Sequence, residues 1–248
     1  MIGELRRLSS ISDLHAAAAS MFADEASRAI ADRGVFNVAL SGGSTPRAVF
    51  SLLANDPTLR SQVEWKQVRF FWGDERHVPP NHPDSNYRMV REAMLDRLPI
   101  DPDRVYRIKG EDPDAARAAA DYETTLRTVF DPKAEELPHF DLILLGMGPD
   151  GHTASLFPGT EAVRETRRLV VANHVTTLNT DRITLTAPVL NAGSTVLFLV
   201  TGENKAPALR DVLEGPYDPD RLPSQLVRPR RGRLIWLVDP PAARLLAA

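Results

Sequence analysis

The 248-residue chain contains no cysteine. Disulfides, thiolate nucleophiles and cysteine-bound zinc are excluded together. The composition is compatible with a reducing cytoplasm, and a cytoplasmic location is expected. Lysine is scarce: Lys66, Lys109, Lys133 and Lys205 are the only ones, and arginine supplies the other positive charges. A basic excess is also missing, with 30 Lys+Arg against 33 Asp+Glu and a formal net charge of −3. A nucleic-acid surface is therefore not expected. No apolar run reaches the ~18 residues that cross a bilayer, so no membrane partner is expected. Arg6 and Arg7 precede an alanine-rich stretch at 16–23, but Asp13, His15, Asp24 and Glu25 interrupt it. An amphipathic first helix explains that stretch better than a signal peptide does.

What remains is ordinary globular material. A chain of this length with 43% hydrophobic residues can close a large core without staples, and one α/β domain over 1–248 is expected. Helices are predicted at 11–33, 45–54, 86–98, 113–130 and 203–213. The first is closed by Gly34. Strands are predicted at 35–41, 68–74, 105–108, 140–146, 182–186, 195–201 and 234–239. Apolar strands alternating with helices predict a mostly parallel, Rossmann-like sheet with helices on both faces. The proline-rich stretch at 216–229 reads as a surface excursion. In such sheets ligands bind beyond the carboxyl ends of the strands, which is where chemistry should be sought.

The first strand delivers Ser41, Gly42, Gly43, Ser44 and Thr45, then Pro46, into a helix. Two glycines let the backbone approach a ligand, and free N–H groups at a helix start favour an anion such as phosphate. The same residues also suit a tight turn capped by Ser44 or Thr45, and spacing leaves both readings open. The loop fits neither a Walker motif nor a dinucleotide fingerprint, so no nucleotide is implied. The second strand ends in Asp74, Glu75, Arg76 and His77. Arg76 can contact phosphate or carboxylate, and Asp74 can orient a catalytic group or a sugar hydroxyl. A solvated loop with local ion pairs is the plain alternative. His77 and His82 with Asp74 or Asp84 fit no specific metal motif, so no metal is expected. Ser85 or Asn86 reads as a helix N-cap.

The third strand runs into Gly146, Met147, Gly148, Pro149, Asp150, Gly151 and His152. A neutral histidine can act as a general base near pH 7, and a carboxylate can orient it. A lone loop histidine is more often inert. Here the glycines, the strand end and the acidic neighbour favour catalysis. Lys205 follows another strand, in the first turn of a helix, where a cation opposes the dipole unless an anion sits there. Arg182 opens the preceding strand and either faces the site or lies on the surface.

Taken together, SGGSTP, FFWGDERHVPPNHPDSNY and FDLILLGMGPDGHTASLFPG, in this order, resemble the 6-phosphogluconolactonase family, and RITLTAPVLNAGSTVLFLVTGENKA extends the match. The resemblance spans about residues 10–240. It implies hydrolysis of 6-phospho-D-glucono-1,5-lactone in the oxidative pentose phosphate pathway, no cofactor, and an α/β fold related to glucosamine-6-phosphate deaminase. It implies that His152 is the general base and that the 41–45 loop contacts phosphate. Arg76 and Lys205 would face the substrate, as could Arg182, while Asp74 and Asp150 would act in catalysis or orientation. The related deaminases usually carry an acidic residue five positions beyond the histidine, where this chain has Phe157. That departure speaks against amino-sugar phosphate deamination or isomerisation. A non-catalytic sugar-phosphate sensor would normally accompany an output domain, and none is expected before residue 11 or after 240. Oligomeric state is not legible.

Overall fold

The computed structural model describes residues 3–131 and 136–247, so Lys133 lies outside the described residues. In chain order the strands and helices are β1 (Glu4–Arg7), α1 (Ile11–Arg33), β2 (Phe36–Leu40), α2 (Ser44–Asn55), α3 (Pro57–Gln62), β3 (Val68–Trp72), β4 (Asp74–Arg76), α4 (Asn86–Ala93), β5 (Val105–Tyr106) and α5 (Ala115–Phe130). Next come β6 (Leu142–Gly146), β7 (Val170–Val175), β8 (Thr180–Leu185), α6 (Ala187–Leu190), β9 (Thr195–Val200), α7 (Ala206–Glu214), β10 (Arg233–Val238) and α8 (Pro240–Ala243).

Seven strands form a parallel sheet in the order β1-β10-β9-β6-β2-β3-β5. A smaller antiparallel sheet has the order β4-β8-β7. From β2 the large sheet grows one way through β3 and the other way through β6 and β9. The strand order therefore reverses between β2 and β6, and the carboxyl ends there flank a natural ligand crevice.

Residue type explains the layering. Strand β9 is buried at all six positions, as expected of a strand covered on both faces. Phe36 in β2 packs edge-on against Phe22 of α1, with ring centroids 5.3 Å apart. Phe36 pairs with Val68, and Phe71 points to the opposite face because side chains alternate along a strand. There it meets Phe130 of α5 at 5.2 Å. Helices thus cover both faces. Helix α1 starts at Ser10, whose hydroxyl accepts from Asp13 N at 3.0 Å. It ends at Gly34, which adopts φ 72° and donates to Ile30 O. Its buried stripe is largely alanine (Ala18, Ala19, Ala23 and Ala26), which lets it approach the sheet closely.

Several expectations need correction. The strand predicted at 68–74 breaks at Gly73: β3 stops at Trp72, and Asp74 opens β4 in the other sheet. Gly73 N donates to Leu40 O and Gly73 O accepts from Leu185 N, both at 2.8 Å, so this residue is shared between the sheets. The helix predicted at 86–98 ends at Ala93 and is followed by a 3-10 turn at Leu95–Arg97. Lys205 does not lie inside the first turn of α7. It closes a 3-10 turn, Glu203–Lys205, immediately before that helix. Arg182 is the third residue of β8, not its first. Strands β1 and β7 and helix α3 were not anticipated.

Candidate active site

The connections leaving β2, β3, β6 and β9 surround one cleft of about 450 Å³. Ser41, Gly42, Gly43, Ser44, Thr45, Asp74, Arg76, His152 and Lys205 all line it. Arg182 and Asp150 do not line it directly. Asn86, Met147, Ala154, Thr201 and Asn204 also line the cleft, and sequence reasoning gave none of these a place in the site. Only Asn86 carried a signal, as a possible helix cap.

The loop after β2 is shaped by close packing. A Cβ on Gly42 would overlap the side-chain amide of Asn86, so only glycine lets the loop rest on α4. Gly43 adopts φ 106° as the N-cap residue of α2 and provides no side-chain cap. The amide end of α2 is therefore left without a side-chain acceptor. Ser41 Oγ is buried and has no hydrogen-bond partner among the described residues. A buried hydroxyl without a partner is costly, and a ligand oxygen in the cleft would relieve it. Thr45 Oγ1 lies 2.7 Å from Thr201 Oγ1 and ties this loop to the end of β9.

The loop after β6 presents His152. Its Nδ1 lies 2.6 Å from Asp150 Oδ1, and its backbone N–H donates to the same oxygen at 3.2 Å. An ionised carboxylate only accepts, so Nδ1 carries the proton in the neutral ring and Nε2 is the basic atom. Nε2 makes no hydrogen bond to any described residue. A Cβ on Gly148 would overlap both the His152 ring and Asp150, so the pair can form only over a glycine. Burial pushes the Asp150 carboxyl up, but the hydrogen bond and charge of His152 outweigh it and hold its pKa below the usual value. Asp74 is held by other partners. Its Oδ2 accepts from Ser155 Oγ at 2.7 Å and its Oδ1 from Asn86 Nδ2 at 3.3 Å.

Glu75 fixes the neighbouring wall. Its carboxylate accepts from Arg76 N, Asn86 N and Tyr87 N at 2.7–2.8 Å and from Ser85 Oγ at 3.0 Å. Burial pushes this carboxyl up, and the three backbone donors pull it back. Ser85 caps α4 by accepting from Arg88 N. The amide end of α4 is thus occupied by protein groups, unlike that of α2.

Three cations belong to this region. Lys205 is partly buried, which lowers its pKa, while the Asp150 charge opposes that shift. Arg76 donates to Asp84 O at 2.6 Å. Arg182 sits opposite Arg76 in the β4–β8 ladder, and burial together with the Arg76 charge lowers its pKa. Among the described residues no salt bridge neutralises Arg76, Arg182 or Lys205. His77 Nε2 is 2.5 Å from Asp112 O, and His82 pairs with Asp84. Among the described residues no three His, Asp or Glu side chains are grouped as metal ligands.

Comparison with known proteins gives the family and the fold. Residues 9–236 match the family model described as glucosamine-6-phosphate isomerases/6-phosphogluconolactonase. A 6-phosphogluconolactonase from Nostoc sp. is 42% identical over 219 residues, covering 88% of each chain. The structure of 6-phosphogluconolactonase from Trypanosoma brucei superposes with a TM-score of 0.87 at 28% identity, over 99% of both chains. A monomeric glucosamine-6-phosphate deaminase superposes with a TM-score of 0.81 at 21% identity, covering 98% of this chain and 99% of the other. That last likeness speaks for the fold alone.

Proposed function

The chain belongs to the glucosamine-6-phosphate isomerase/6-phosphogluconolactonase family, and from that premise we propose that it hydrolyses 6-phospho-D-glucono-1,5-lactone to 6-phospho-D-gluconate. The observation that carries the mechanism is the His152–Asp150 pair, with its unpartnered Nε2, in a cleft that also holds an uncapped helix start and unneutralised cations. We take it to act as one catalytic domain in a cytoplasmic setting.

The substrate phosphate binds the amides and hydroxyls at Ser44 and Thr45, where the helix end favours an anion. Lys205, Arg76 and Arg182 supply positive charge. The facing arginines of β4 and β8 support this, because like charges directly opposite destabilise a sheet unless an anion relieves them. Holding the remote phosphate orients the lactone carbonyl at His152. Nε2 takes a proton from water, and the resulting hydroxide adds to C1. Backbone N–H groups or Lys205 stabilise the oxyanion. As the tetrahedral species collapses, the C1–O5 bond breaks and the imidazolium returns its proton to the ring oxygen. Asp150 holds the ring tautomer and stabilises the transient cation. No covalent intermediate is needed.

The test is a coupled assay with freshly generated lactone. Replacing His152 by Ala should lower kcat by roughly 10²–10⁴-fold, the usual contribution of a general acid–base group. Binding of 6-phosphogluconate should persist. Full turnover in His152→Ala, after subtraction of spontaneous hydrolysis, would remove His152 from the mechanism. Phe157 also bears on the competing deaminase reading. Its side chain has no proton to transfer, and ammonia release from glucosamine 6-phosphate is not expected.

A further inference from the structure

Phe157 does more than leave a carboxylate out. Its ring is stacked on the imidazole of His152, with centroids 4.1 Å apart and planes inclined by 25°. It is buried, with 9% of its surface exposed, and the segment carrying it is braced on both sides. Ser155 N donates to Thr184 Oγ1 at 3.2 Å, and Ser155 Oγ to Asp74 at 2.7 Å. The buried amide of Asn173 in β7 donates to Ser155 O at 2.8 Å and to Thr160 Oγ1 at 3.1 Å, one anchor before Phe157 and one after. Thr160 Oγ1 in turn donates to Phe157 O at 2.8 Å. Between His152 and Phe157 the chain reverses through Ala154, a non-glycine residue at φ 47°. Left-handed backbone is unfavourable for alanine, yet this reversal is what brings residue 157 back over residue 152.

From this geometry we infer that Phe157 is a positioning residue for the base. It fixes the plane of the His152 ring and favours the imidazolium formed during turnover. This rests on the lactonase reading above and adds to it. Three groups hold the ring: Asp150 grips Nδ1, the backbone at Gly148 backs the same edge, and Phe157 covers one face. Nε2 makes no hydrogen bond to any described residue. An aromatic face attracts a cation lying over it, so Phe157 stabilises the protonated ring. Being apolar, it neither donates to Nε2 nor takes its proton. The other charged groups around the ring are Asp150 on the same loop, Lys205 from the loop after β9, and Asp74 and Arg76 from β4. A substitution at Phe157 removes none of these charges.

The experiment compares wild type, Phe157→Leu, Phe157→Tyr and His152→Ala in the coupled lactone assay across pH. Loss of the aromatic face should lower kcat about 10-fold, because a mispositioned reacting group costs rate through orientation. KM should change less than about twofold, since no phosphate contact is lost. The base must be neutral to act. Removing a group that favours the protonated ring should move the acid limb of kcat/KM to lower pH, by about half a pH unit. Phe157→Tyr, which keeps the ring, should restore both kcat and the limb. If Phe157→Leu does not fold, Phe157→Met, which is closer in length and flexible, is read the same way. Wild-type kcat and an unmoved limb in the leucine variant would overturn the inference. So would a kcat loss with an unmoved limb that tyrosine fails to rescue, which is the pattern of a packing defect. The lactonase mechanism fails separately, by full activity of His152→Ala.

Discussion

At the scale of single residues, the chemistry depends on which carboxylate holds His152. Chain position makes both Asp74 and Asp150 candidates, because each leaves a strand at the ligand-binding edge. The structure separates them by partner: Asp150 bonds to Nδ1, whereas Asp74 is held by Ser155 and Asn86. No spacing rule could have revealed the Ser155–Asp74 bond, which joins residues 81 positions apart. An Asp150→Asn substitution keeps the shape but removes the charge that stabilises the imidazolium, and it allows the wrong tautomer. It should lower kcat by about 10²-fold with little change in KM, within the range of general acid–base effects. The pH dependence of stability has a definite sign. The folded pKa of Asp150 lies below its ordinary value of 3.8, so its contribution is present above that pH and fades as pH falls through the lower, folded value. Thermal melts of wild type and Asp150→Asn should therefore differ above that pH and converge in strong acid. Gly148→Ala tests the same pair from beneath. Its Cβ would displace the ring, so kcat should fall while far-UV circular dichroism is unchanged.

At the scale of elements, the legible features are those governed by local rules. The closing glycine of α1, the apolar strands β2, β6 and β9, and the two glycine-bearing loops all obey local periodicity or turn chemistry. The features that escaped depend on partners distant in sequence. Strand β1 is a four-residue edge carrying Glu4, Arg6 and Arg7, and only pairing with β10 makes it a strand. In β7, the buried Asn173 ties down the segment around Phe157, a role invisible to hydropathy. The break at Gly73 was likewise hidden, since the run from Val68 to Asp74 gives no sign that its end will enter a second sheet. That break creates the Glu75 hub, where one buried carboxylate gathers three backbone amides and a hydroxyl from β4 and the start of α4. Removing it in Glu75→Ala leaves those donors unsatisfied, which should cost at least about 1–3 kcal/mol, read as a lower urea midpoint with an unchanged slope. Asn86 would lose its support against Gly42, so KM for the lactone should also rise.

At the scale of the whole molecule, a chain of net charge −3 presents cations to one cleft, at the point where the strand order of its sheet reverses. Overall charge gave no hint of this, because local fields at a site are set by a few residues and not by the total. The arrangement has a cost in the free protein: Arg76 faces Arg182, Lys205 is partly desolvated, and Ser41 Oγ has no partner among the described residues. A phosphorylated ligand should remove these penalties together, so binding should stabilise the fold. At a 6-phosphogluconate concentration about 100 times Kd, mass action contributes about 2.7 kcal/mol. For a chain of this size that corresponds to a rise in melting temperature of roughly 5–10 °C, at about 2–4 °C per kcal/mol. Unphosphorylated gluconate should give almost none of it. Lys205→Ala and Arg76→Ala should shrink the shift at fixed ligand concentration, and added salt should shrink it further by screening the cations. The unliganded melting temperature of Lys205→Ala should stay equal to wild type or rise, because the substitution relieves a desolvation. Equal shifts from gluconate and 6-phosphogluconate would mean that the cleft does not recognise the phosphate and that these cations serve another purpose.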